Sequence, residues 1–174
     1  MTEPASASTP AAPKSLAKDL LPPSYAKKVG FTKVVEKAST TSKTGEKSCP
    51  NGAQEIFKNA SGKAGMESEI VACTTSKAAA ALLGGVATGT SATSSSPPKR
   101  LGSSAIERAG GGSSPSYAIY WRRGAILELI GITFDLAAST SSTTTTTTAP
   151  APPITPAEQK LLSKVAVAQN KRLR

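Results

Sequence analysis

Histidine is absent from this chain, and cysteine occurs only as Cys49 and Cys73. The first absence removes the commonest metal ligand and the usual general base at neutral pH. Two cysteines cannot build a zinc site. No Gly-x-x-x-x-Gly-Lys-Ser/Thr phosphate loop is present, and the glycine run at 110–112 follows no strand pattern. Glu128 and Asp135 are a possible carboxylate pair, but a polar stripe along a helix explains them more simply. The sequence therefore assigns no catalytic, metal-binding or cofactor-binding residue, and it predicts a protein that is not an enzyme.

Large apolar side chains are also scarce. Aromatic residues make up 4% of the chain, and Leu, Ile, Val and Phe together about 17%. That lies below the ~20% which, with high net charge, accompanies disorder. The 38% hydrophobic content is inflated by alanine, which buries little area. Mean hydropathy, at -0.17, is not low, so the expectation rests on side-chain size and low complexity. The composition predicts a largely disordered, low-complexity chain with a few short α-helices and no stable globular fold.

Arginine is missing from the first half, the first being Arg100, and most of the positive charge is lysine. Lys and Arg number 21 against 11 Asp and Glu, for a net charge of +10 and a pI near 9.8. A balance of this kind attracts nucleic acid, anionic membrane or acidic protein without sequence selectivity. The first twenty residues carry Pro10 and Pro13 and no apolar run, so no secretory leader is expected. The expectation is an intracellular protein, cytoplasmic or nuclear, with two free thiols.

Composition divides the chain into a tail at 1–13, a Lys-rich and weakly helical region at 14–85, and a Ser/Gly/Pro linker at 86–116. An apolar and aromatic element at 117–138, a Thr/Pro linker at 139–154 and a basic helix at 155–174 follow. Within 14–85, helices are expected at 14–21, 24–38, 53–60 and 65–83. The best helix is 156–172. Thr155 stands at its N-cap, Pro156 at the first helical position and Glu158 at the third, which together make a capping box.

The chain is organised around 117–138, which holds the only Trp and four of the eight Ile. The stretch is ambiguous between helix and hairpin. Ile130, Ile132, Phe134 and Leu136 alternate with Gly131, Thr133 and Asp135, as in a half-buried strand, and Arg123-Gly124 can close a hairpin. Length and Ala137-Ala138 tip 124–138 toward helix. The run is shorter than the ~20 residues of a membrane span, but the aromatic and arginine residues before it allow an in-plane membrane helix.

These features predict a basic interaction or regulatory protein that docks on another protein through 117–138 and the C-terminal helix. The candidate docking residues are Tyr117, Tyr120, Trp121 and Ile126, with Leu127, Ile130, Phe134 and Leu136. Candidate anion contacts are Lys27, Lys28, Arg122, Arg123, Lys171, Arg172 and Arg174, which also allow a non-specific nucleic-acid binder or a membrane-surface protein. Ser96, followed by Pro97-Pro98-Lys99, is a candidate phosphosite. Oligomeric state is not legible.

Overall fold

Alternation with a period of two, spread over six short segments, builds this protein. The computed structural model describes residues 16–36, 47–88, 99–101, 104–110, 116–134 and 155–172. The strands are β1 (Phe31–Glu36), β2 (Asn51–Asn59), β3 (Ala64–Ala72), β4 (Ala105–Gly110), β5 (Ser116–Arg123) and β6 (Ile126–Phe134). The helices are α1 (Pro23–Lys28), α2 (Ser76–Thr88) and α3 (Pro156–Arg172), with 3-10 turns at Leu16–Asp19 and Lys99–Leu101.

The strands form one antiparallel sheet in the order β1-β2-β3-β6-β5-β4. Two meanders thus meet along β3 and β6. In the β3–β6 ladder Ala64 opposes Phe134 and Ala72 opposes Ile126 without a slip. Burial along β3 alternates strictly as far as Ile70, with Ala64, Met66, Ser68 and Ile70 inward. That is the expected signature of a sheet with one face committed to a core.

One sheet face carries α1 and α3. Leu162, Val165 and Ala166 of α3 share a core cluster with Phe57, Met66, Trp121, Ile119 and Ile130, and α1 adds Ala26. Leu16 and Leu20 cover Ala53 and Ile70 on the same face. On the other face, Leu82 and Leu83 of α2 pack with Val71, Leu127, Ile106 and Tyr120.

This architecture overturns the expectation of a largely disordered, low-complexity chain without a stable globular fold. The composition average includes segments such as 139–153, which dilute it. The large apolar residues are concentrated on inward strand positions, and small ones (Ala26, Ala53, Ala64, Ala166) are fully used between them. The ambiguous stretch is a hairpin: β5 and β6 pair from Ser116↔Thr133 to Arg123↔Ile126. The turn residues are Gly124 and Ala125, one position later than the Arg123-Gly124 turn expected. Gly124 has φ 57°, which the tight hairpin turns require and which glycine adopts without penalty.

Three expected helices give way to strands, one throughout and two in part. The 24–38 segment splits at Gly30 (φ 95°) into α1 and β1, 53–60 lies within β2, and 65–83 divides into β3 and α2. Thr75 starts α2 by accepting the Ala78 N–H at 3.0 Å, and the helix runs past Gly84-Gly85 to Thr88. Helix α3 opens on its capping box. The Glu158 N–H donates to Thr155 Oγ1 at 3.3 Å, and the Thr155 N–H donates to Glu158 Oε2 at 2.7 Å.

The cysteines are not free thiols. Cys49 and Cys73 form a disulfide across 24 residues. The β2–β3 ladder ends at Asn51↔Ala72, which brings Cys49, two residues before β2's first pair, and Cys73, one residue after β3's last, close enough to bond.

Candidate functional site

Strand β6 places Glu128 on the inward face, between Ile126 and Ile130. Its cross-strand partners are Trp121 on β5 and Ile70 on β3, and all three are fully buried. The last turns of α3 close over them. Ser68 Oγ donates to Gln169 Oε1 at 3.0 Å and accepts the Leu21 N–H at 3.1 Å, which ties α3 to β3 and to the segment before α1.

Asn170 continues the closure. Its Nδ2 donates to the Arg100 carbonyl at 3.2 Å, and its own carbonyl accepts from Arg123 Nη1 at 3.3 Å. Arg172 Nη2 donates to the Lys18 carbonyl at 3.4 Å. Residues 154 positions apart are thereby joined around one helix end.

Among the described residues, the buried side-chain polar atoms without a hydrogen-bond partner are Trp121 Nε1, both carboxyl oxygens of Glu128, Gln169 Nε2 and Asn170 Oδ1. All belong to this one region. Leaving such a group unpaired costs about 1–3 kcal/mol, so their concentration is uneconomic for a purely structural core. Burial raises the Glu128 carboxyl to about 8. The Arg123 guanidinium and the Trp121 indole pull it down and Asp19 adds to the rise. The indole contact falls short of full hydrogen-bond geometry, so burial dominates. At neutral pH Glu128 is mainly a neutral acid, able to donate as well as accept.

A pocket of about 400 Å³ opens here, lined by Arg123, Gly124, Ile126 and Glu128. That is within the range of small-molecule sites. A second pocket, of about 290 Å³, lies along β4 and β5 and is lined by Arg108, Ala109, Gly110, Ser116, Ala118 and Tyr120. Glu107 on β4 is a further buried carboxyl, raised by burial and partly lowered by a hydrogen bond from Tyr117. Among the described residues, no group of three or more Cys, Asp or Glu is placed to hold a metal ion.

Of the candidate docking residues, Tyr117, Trp121, Leu127 and Ile130 are buried in the sheet's own packing. Tyr120, Ile126 and Phe134 are half-buried. Leu136, Arg174 and Ser96 lie outside the described residues. Lys27 and Lys28 are exposed on α1, and Lys171 and Arg172 at the end of α3. Arg122 points to the α2 side, donating to the Gly124 carbonyl at 3.1 Å and to Ser76 and Ser104 at 3.4 Å each. Arg123 joins the α3 end.

Sequence reasoning missed Ser68, Gln169, Asn170, Lys18 and Arg100. One signal was available. Read as strand, Glu128 falls on the apolar face with Ile126 and Ile130, and Gln169 continues the Leu162–Val165 stripe of α3. A polar residue on an inward stripe marks a site or a buried network. No helix among the described residues is long and apolar enough to cross a membrane. No protein-family model matches the sequence, and no curated protein is detectably similar to it.

Proposed function

We propose that this chain is a non-enzymatic, basic interaction module that docks an acidic protein surface on the layer formed by α3 and its neighbours. One observation carries the reading. Lys18, Arg100, Arg123, Lys171 and Arg172 come from four separate elements, and the hydrogen bonds of Asn170, Arg123 and Arg172 draw those elements around the C-terminal end of α3. Cations in that place complement the helix dipole and leave their outer surfaces free for a partner. The β5–β6 hairpin serves this surface from below, as its support.

An acidic protein is favoured over nucleic acid for two reasons. The cations ring one helix end and do not form a stripe that follows a phosphate backbone. The Cys49–Cys73 disulfide suits an oxidising compartment, where nucleic acid is not the usual partner.

The test is binding of fluorescent poly-glutamate and of duplex DNA to the full chain over a salt series. Saturable poly-glutamate binding that the Lys171→Glu/Arg172→Glu variant loses supports the proposal. Preferential DNA binding, with affinity falling steeply in salt, replaces it with the nucleic-acid reading. Binding of neither ends both.

A further inference from the structure

The two outer strands of the sheet differ. Strand β1 pairs with β2 through two register shifts, whereas β4 pairs with β5 from Ala105 to Gly110 without one. Bulges blunt an edge, and a regular edge strand is a template for another strand. The Arg122 N–H donates to the Ser104 carbonyl at 3.2 Å, which fixes the hydrogen-bonding parity of β4. Ser104, Ile106 and Arg108 turn their backbone groups toward β5. Ala105, Glu107 and Ala109 therefore aim their N–H and C=O groups away from it. Strand β4 is last in the sheet order, and among the described residues nothing hydrogen-bonds to those outward groups.

The side chains along this edge decide what kind of strand fits. Glu107 is buried on the α3 face and held by Tyr117, so it offers no charge outward. Arg108 is half-buried on the other face, next to Ile106 in the sequence pattern of the strand. It lines the pocket of about 290 Å³ with Ser116, Ala118 and Tyr120 behind it on β5. The acids within electrostatic reach of Tyr120, Glu67 and Glu69, stand on β3, with β6 and β5 between them and Arg108. The charge at the edge itself is thus a cation beside two hydroxyls, and its complement is a carboxylate.

We infer that β4 is a docking edge for an extended acidic segment of another protein, which adds antiparallel as a further strand. Its backbone pairs with Ala105, Glu107 and Ala109. A carboxylate of the segment lies opposite Arg108, at the mouth of the pocket, and an apolar side chain lies opposite Ile106. A second copy of this chain fits worse. Full antiparallel overlap of two β4 strands sets Glu107 against Glu107, and a shift toward Gly110 sets Arg108 against Arg108. The opposite shift avoids both but shortens the ladder, and each copy carries a net charge of +10. The edge and its pocket lie away from the Lys171 and Arg172 surface proposed above, so the two readings fail separately.

Amide exchange on the full, disulfide-bonded chain defines the free edge. The Ala105, Glu107 and Ala109 amides should exchange fast, and those of Ile106 and Arg108 slowly. The probe is a labelled peptide, Val-Thr-Glu-Thr-Val-Thr with Gly-Ser flanks, read by fluorescence anisotropy. Saturable binding should slow exchange at the three outward amides. Replacing the peptide Glu by Lys should weaken binding about tenfold, as an opposite-charge pair becomes a like-charge one. N-methylation of the middle Thr, whose N–H faces the Glu107 carbonyl, should abolish binding, whereas N-methylation of the peptide Glu should be tolerated. This peptide series needs no variant to fold. Arg108→Glu should reverse the preference between the Glu and Lys peptides, and Lys171→Glu/Arg172→Glu should leave binding unchanged. Outward amides that are already slow in the free monomer, no saturable binding, or indifference to the position of N-methylation would each overturn the inference. So would loss of binding in Lys171→Glu/Arg172→Glu, which moves the peptide to the α3 surface. A concentration-dependent dimer with the same alternation of protected amides would overturn it in favour of a second copy.

Discussion

Trp121 and Glu128 face each other across the β5–β6 ladder, both fully buried, and neither side chain has a hydrogen-bond partner of good geometry. A neutral acid beside an unmatched indole, under a helix end ringed by cations, is the least self-sufficient part of an otherwise well-packed molecule. Its consequences for stability can be measured without knowing any ligand.

The first consequence is a pH dependence of folding. The folded-state value of Glu128, about 8, lies above its ordinary value of 4.5. The folded state therefore holds a proton that the unfolded chain releases between those values. Stability from this group is complete below about pH 4.5 and is lost progressively as pH rises through about 8. Melting temperature should fall across that window by the equivalent of a few kcal/mol. In Glu128→Gln the decline should flatten and stability near pH 8.5 should rise by roughly that amount. A wild-type profile that is level across the window would show that Glu128 is not buried as described.

The disulfide ties together the open end of the β2–β3 hairpin. Closing a loop of 24 residues stabilises by about 3 kcal/mol in the chain-entropy model. Urea unfolding of Cys49→Ser/Cys73→Ser should show an unfolding free energy lowered by that amount and a correspondingly lower midpoint. Wild type in reductant should match the variant, and reductant should leave the variant unchanged. Equal midpoints with and without reductant would mean the bridge is not formed.

The turn at Gly124 is the third test. With φ at 57°, a β-branched residue is strained there, although the space around the Cβ position is open. Gly124→Val should cost more than about 1 kcal/mol, and Gly124→Asn distinctly less, because asparagine tolerates this region. Equal costs would argue against the assigned turn.

Ser68 links three elements through its hydroxyl, receiving from Leu21 and donating to Gln169. Ser68→Ala leaves the Leu21 N–H and Gln169 Oε1 unmet, at a cost of about 1–3 kcal/mol. Amide exchange should speed up at Leu21 and in the last turn of α3, with β4 little changed. Uniform acceleration would mean that the link is not local.

Local chemistry was legible from the residues alone. The capping box at Thr155 and Glu158 marked the start of α3, because a cap depends only on four neighbouring residues. The alternation of Ile130, Ile132 and Phe134 was equally plain, although length and Ala137-Ala138 argued for helix. Strand pairing settled that conflict. The hydrogen bonds of β6 go to β3 and β5, which begin 62 and 10 residues earlier in the chain, and no window of sequence contains both partners.

The same separation of scales explains the site. Glu128 looked like one member of a polar stripe as long as 124–138 was read as a helix. Only the register with Trp121 and Ile70 turns it inward. Cys49 and Cys73 become neighbours through the β2–β3 register, and Lys18, Arg100 and Arg172 through the docking of α3. Net charge, the absence of histidine and the single tryptophan are properties of composition and needed no fold. Where the charge gathers, and which polar groups are buried beneath it, depends on contacts between distant segments, which exist once the sheet has formed.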